Sequence, residues 1–207
     1  MSLVKKRKEA SFKDHIRQYF DERPHPDIMF KVQGEEVSAH KGILSVRSRF
    51  FHELFASRAD PWGGENNNFL DEAIDLKNPI EIEDLSPAAF NSKISWLHFS
   101  HLLLVLLEWL YCNSVLEMKD EATLELFKAA DKYLVPKLKE EAEKSLVKNL
   151  TLDNLIEYAK LAIEHKAKDL ENAVVKLAAK EIDALNEREQ LNLFPSSIIY
   201  KIFKSGK

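Results

Sequence analysis

Between Asp27 and Phe55 the chain keeps two apolar periods in succession, and the switch between them limits what it can fold into. Ile28, Phe30 and Val32 alternate with Met29 and Lys31, a period of two that predicts a strand with one face buried. Gln33-Gly34-Glu35-Glu36 follows as a polar turn whose glycine is free to take positive φ. Val37 and Ala39 resume the alternation, which predicts a β-hairpin. From Lys41 the period becomes helical, with Ile43, Leu44, Phe50, Phe51, Leu54 and Phe55 on roughly one face. The pattern describes a hairpin laid against an amphipathic helix. By itself it names no function.

Upstream, Phe12, Ile16, Tyr19 and Phe20 stand at i, i+4, i+7 and i+8, so residues 11–23 read as an amphipathic helix. Ser11 is its expected N-cap, and Pro24 and Pro26 end it. From Ser57 to Pro79 the pattern breaks into loop chemistry, with Pro61-Trp62-Gly63-Gly64 and Asn66-Asn67-Asn68. A connection that long is commonly either functional or disordered. Ile80, Ile82 and Leu85 alternate with acids as another short strand, and a polar patch at Asn91–Ser95 leads to a nearly all-apolar helix over Leu102–Tyr111. After Cys112-Asn113-Ser114 the reading is helical almost throughout: Met118–Leu134, Pro136–Leu150, Asn154–His165, Lys168–Leu185 and Pro195–Phe203. Thr151-Leu152-Asp153-Asn154 supplies polar capping residues before the third of these. The class is α+β, a small sheet first and helices after it.

Composition removes several functions. A net charge of −4 argues against bulk nucleic-acid binding, which needs many phosphate-neutralising cations. The single cysteine, Cys112, excludes an internal disulfide and fits a reducing cytoplasmic or nuclear setting. The most apolar run, Leu102–Leu107, is too short to span a membrane and soon meets Glu108. Residues 1–10 read as a flexible leader without a signal-peptide core. Lys5-Lys6-Arg7-Lys8 within it is either a solvated charge run or a nuclear-import cluster.

No phosphate loop, dinucleotide fingerprint or metal box is present, so no cofactor is expected. His40 has no recognisable nucleophile or orienting carboxylate beside it and reads as a structural histidine at the strand–helix junction. His98 and His101 could share a helical face, but one pair is too few ligands for zinc. Cys112 reads as a buried thiol rather than a nucleophile. Nothing here describes an enzyme.

The residues that punctuate these elements carry a family resemblance. Asp27, the hairpin, Ala39-His40-Lys41, Leu44, Arg47-Ser48 and Phe51 with Phe55 together resemble the opening half of a BTB/POZ domain. Ile80-Glu81-Ile82 resembles that family's later strand. Leu106–Tyr111 resembles its helix end, with Cys112-Asn113 where the family carries Thr-Gly. Ala129-Ala130-Asp131-Lys132-Tyr133 with Leu138 is similar to the next helix pair. From Leu150-Thr151-Leu152-Asp153-Asn154 onward, with Ala159, Ala162, His165 and Leu170, the chain is similar to the 3-box that opens a BACK domain. The resemblance covers residues 12–207 apart from inserts near 57–69 and 87–98, and is nearest the speckle-type POZ class. It implies a BTB/POZ domain over 11–150, a small mixed sheet flanked by helices, followed by all-helical 3-box/BACK helices over 151–207.

It also implies partners. In the family the leading helix builds a homodimer, which assigns that role to Phe12, Ile16, Tyr19 and Phe20. Asp27 and Lys41 match a charged pair near the dimer interface, against the plain alternative of two surface charges. Leu70-Asp71-Glu72 matches a hydrophobic-x-Glu motif of cullin-3 adaptors, with Phe55 beside it, although the insert from Ser57 to Phe69 precedes it. In the 3-box, Leu152, Leu155 and Ile156, together with Ala159 and Ile163, would wall a groove for the cullin's N-terminal segment. The implied function is a homodimeric, non-catalytic adaptor that recruits an unidentified substrate to a cullin-3 RING ubiquitin ligase. The alternative is a homodimerisation platform for transcriptional or other regulatory complexes without cullin binding.

Overall fold

The structure, a computed structural model, describes residues 10–32, 34–58, 79–82, 97–114 and 120–205. The basic cluster at Lys5–Lys8, the polar patch at Asn91–Ser95, Leu85, Leu70 and Glu72 lie outside the described residues, as do the side chains of His98 and His101. The chain forms two compact units, residues 1–117 and 118–207.

The first unit opens with α1 (Phe12–Glu22), which begins at Ser11 because a capping box closes there. The Ser11 hydroxyl accepts the Asp14 N–H at 3.3 Å, and the Asp14 carboxylate accepts the Ser11 N–H at 2.7 Å. That bond from the Ser11 amide holds the Asp14 carboxyl below its ordinary value. Arg23 turns left-handed at φ 42 ahead of Pro24, and the helix ends. Strands β1 (Ile28–Val32) and β2 (Glu35–Ala39) pair antiparallel, Ile28 opposite Ala39 and Val32 opposite Glu35. Gly34 supplies φ 89 at the turn, where a side chain would be strained. Strand β3 (Ile80–Glu81) joins β1 in parallel, Phe30 opposite Ile80, so the sheet is mixed with order β2-β1-β3. Ile28, Phe30, Val32, Val37 and Ala39 are all buried, as the alternation requires.

Where the period predicts one helix after Lys41, there are two: α2 (Lys41–Arg47) and α3 (Arg49–Arg58). Ser48 separates them in an extended conformation, φ −138 and ψ 122. Its N–H donates to the Leu44 carbonyl, closing α2, and its hydroxyl accepts the Phe51 N–H at 3.3 Å, opening α3. The apolar stripe survives the break, with Leu44 and Phe51 buried and Ile43, Phe50, Leu54 and Phe55 half-buried. Helix α4 (Leu97–Cys112) runs through this unit's core, burying Leu102, Leu103, Leu106, Leu107 and Leu110.

Among the described residues the second unit is helical throughout: α5 (Asp120–Lys132), α6 (Pro136–Lys148), α7 (Leu155–Glu164), α8 (Lys168–Lys180), α9 (Ile182–Glu187), a 3-10 turn at Leu191–Leu193, and α10 (Ser196–Ser205). The helix expected over Lys168–Leu185 is divided at Glu181, which ends α8 and precedes α9. Left-handed residues at Leu134, Lys166 and Glu189 make the turns tight. In each, an amide one residue on reaches back to a helix carbonyl: Val135 to Ala130, Ala167 to Ala162, Gln190 to Leu185. Asn154 stands at the start of α7, but its side chain ties the preceding turn instead of capping the helix amides. It accepts the Thr151 N–H and donates to the Asn149 carbonyl, both at 2.8 Å. One core, from Phe127 through Leu146, Leu155, Leu170 and Leu185 to Ile202, is shared by helices on both sides of residue 150.

Candidate interaction surfaces

The junction between α1, β2 and α4 is built on His40 and Tyr111. His40 follows the buried Ala39 and is itself buried. Its Nε2 lies 2.7 Å from the Pro24 carbonyl, which only accepts, so Nε2 carries the proton. In the tautomer with its proton on Nε2, Nδ1 accepts the Tyr111 hydroxyl at 2.7 Å, while that oxygen accepts the His40 N–H at 2.8 Å. Tyr19 stacks on the imidazole with ring centroids 4.6 Å apart. Burial pushes the Tyr111 phenol well above its ordinary value, against the His40 N–H, which favours the phenolate. Both ring nitrogens of the imidazole have a partner within the fold.

This junction decides which face of α1 is free. Phe20 packs edge-on against Tyr111 at 5.4 Å and is only 7% exposed, with the Arg23 guanidinium 4.7 Å over its ring. Arg17 bonds Glu108 on α4 at 2.5 Å. Phe20 is therefore buried against its own unit. Phe12 is 80% exposed, Tyr19 is 36% exposed, and Ile16, between them in the helix, is half-buried. These three make the open face. Asp27 and Lys41 are joined through the backbone: the Asp27 carboxylate accepts the Lys41 N–H at 2.6 Å. That bond caps the entry to α2 and ties it to the start of β1, and both residues are half-buried.

Among the residues expected at the cullin contact, Phe55 is half-buried and stacked on Phe51 with centroids 6.0 Å apart. Leu70 and Glu72 lie outside the described residues. In the second unit Leu152 and Ile156 are half-buried against the core, and Ile163 is exposed. Leu155 and Ala159 are fully buried. They hold α7 in place and offer a partner no surface, so the apolar wall there is narrower than the stripe predicts.

Sequence reasoning passed over Val46, which is 86% exposed on α2. The signal was present: Val46 lies two residues from Leu44, about 200° around the helix from the buried stripe. Burial raises the Cys112 thiol above its ordinary value, so little reactive thiolate forms there. Among the described residues no group of three or more His, Cys, Asp or Glu side chains could hold a metal ion, and no helix is long and apolar enough to cross a membrane.

Comparison with known proteins gives this geometry a setting. A family model for the BTB/POZ domain matches residues 16–150. The chain is 25% identical over 186 residues to BTB/POZ and MATH domain-containing protein 4 of Arabidopsis thaliana, covering 83% of the chain and 34% of that protein. It is 24% identical over 187 residues to Rabankyrin-5 of Mus musculus, covering 90% of the chain and 13% of the relative. For Rabankyrin-5 of Homo sapiens the figures are 23% over 191 residues, 92% and 14%. The chain thus spans about a third or less of the length of these relatives.

Proposed function

Because this chain belongs to the BTB/POZ family, whose domains mediate protein–protein interaction, we propose that it is a homodimeric adaptor that binds cullin-3 and brings a substrate protein to the attached RING ubiquitin ligase. Catalysis belongs to the recruited ligase, and this polypeptide supplies the contacts. The observation that carries the reading is α1. The helix is anchored to its own unit by Phe20 and Arg17, yet it leaves Phe12 80% exposed beside Ile16 and Tyr19. An apolar face held rigidly in water is the surface that an isologous two-fold contact would cover.

For the cullin, Phe55 on α3 and the pair Leu152 and Ile156 at α7 are apolar surfaces of the anchoring kind, with Leu70 and Glu72 as the motif that resembles the adaptors' own. Residues 151–207 are read as 3-box and first BACK helices. The relative whose name joins BTB/POZ to MATH suits an adaptor in which a separate domain of the same polypeptide engages the substrate.

Gel filtration with light scattering, run with and without a purified cullin-3 N-terminal domain, tests both halves. The expected result is a dimer that co-elutes with the cullin domain. Phe12→Asp with Ile16→Asp should give a monomer, and Leu70→Asp or Glu72→Ala should abolish co-elution. A dimer that never co-elutes at micromolar concentration leaves the regulatory dimerisation platform in its place. An unchanged mass for the α1 variant ends the dimer claim.

A further inference from the structure

We propose that the groove between α8 and α10 docks an acidic peptide segment of a partner protein, independently of any cullin contact. The two helices pack directly together in the second unit and leave a cleft of about 640 Å³ open to solvent. Val175 and Ala179, one turn apart and half-buried, form an apolar floor. Lys176 and Lys180 on α8, and Lys201 and Lys204 on α10, also line the cleft. Their spacings, i to i+4 and i to i+3, place each pair on one rim of its helix.

Only part of this charge is answered within the fold. Lys201 bonds Glu171, and Lys180 lies 3.0 Å from Glu181. Lys176 and Lys204 have no anionic partner among the described residues. Like charges at i, i+4 repel, so the bare groove carries an electrostatic cost that a bound anion relieves. A chain whose net charge is −4 has nonetheless gathered four cations around one apolar strip.

The occupant follows from that layout. Carboxylates on both sides of an aliphatic side chain would meet the two cationic rims while the aliphatic group covers Val175 and Ala179. A flat anionic bilayer does not enter a concave strip. A nucleic-acid backbone needs a longer run of unopposed cations than these. The contact is built from exposed ion pairs, so its affinity should be modest and should fall with salt.

The test is fluorescence anisotropy with a fluorescein-labelled peptide repeating Glu-Leu-Asp-Glu, titrated with the full chain. Saturable binding is expected. Lys176→Glu with Lys204→Glu should weaken it by about tenfold or more, because attraction becomes repulsion at both rims. Lys144→Glu with Lys160→Glu, exposed positions on α6 and α7, makes the same change in net charge and should shift it by less than about twofold. Circular dichroism of all three proteins confirms that each is folded. Equal weakening by both double variants would show a net-charge effect and overturn the proposal, as would the absence of saturation. Sedimentation of the chain with phosphatidylserine vesicles, lost in the groove variant while peptide binding is unaffected, would assign the lysines to a membrane and overturn it equally.

Discussion

Tyr111 holds three elements through one oxygen. It donates to His40 Nδ1 and accepts the His40 N–H, while the same imidazole donates to the Pro24 carbonyl behind α1. Tyr111→Phe keeps the ring and strands a buried amide and a buried ring nitrogen, so the loss should be about 2 kcal/mol in urea denaturation. The pH dependence has a fixed sign. The folded phenol lies above its unfolded value of about 10, so its contribution is complete below pH 10 and declines as pH rises toward the folded value. The variant should lack that alkaline loss.

Asp131 behaves oppositely. Burial pushes its carboxyl up, but bonds from Lys139 at 2.5 Å and His165 at 2.7 Å outweigh burial and hold it below its ordinary value. Its contribution is therefore present above the unfolded carboxyl value and lost as pH falls through the folded one. Asp131→Ala should cost about 1 kcal/mol at pH 7, a modest figure because the carboxylate is partly exposed and screened. As pH falls through the folded value the difference between the two proteins should close in the same urea series, since the wild-type carboxylate is then protonated too.

At the scale of elements, Ser48 shows where local pattern stops being informative. Ile43, Leu44, Phe50, Phe51, Leu54 and Phe55 share roughly one helical face, so spacing predicts one helix even though Arg47 and Ser48 occupy the turn between them. The break arises because the Ser48 hydroxyl competes for a backbone amide, which periodicity does not register. Ser48→Ala should cost about 1 kcal/mol in thermal or urea unfolding, the usual value of a lost cap. The hairpin, α1 with its Ser11 cap, and the buried α4 were legible because each is set by neighbours close in sequence. The division at Glu181 was not, since no glycine or proline marks it.

The candidate surface was legible only as a stripe. Phe12, Ile16, Tyr19 and Phe20 are equally apolar in the sequence. What turns Phe20 inward is packing on Tyr111 and the bond from Arg17 to Glu108, partners 91 positions apart in the chain. Leu155 makes the same point in the second unit, where a core reaching to Ile202 takes it out of reach of any partner.

For the whole molecule, two properties proposed separately constrain each other. The dimer face is assigned to α1, while the cullin contacts are assigned to Phe55, Leu70, Glu72, Leu152 and Ile156, so the two sets share no residue. If each acts alone, a dimer carries two cullin sites, and mixing with excess cullin-3 N-terminal domain should give a particle of two adaptors and two cullin domains. Phe12→Asp with Ile16→Asp should then reduce the particle to one of each by light scattering without abolishing binding. Linking two sites makes the second binding event intramolecular, with gains of about a hundredfold or more where geometry allows. On a densely immobilised cullin layer the dimer should therefore dissociate far more slowly than the α1 variant, while on a sparse layer the two rates converge. Loss of cullin binding together with dimerisation would mean that the two surfaces are one, and the division of labour between α1 and the rest would be wrong.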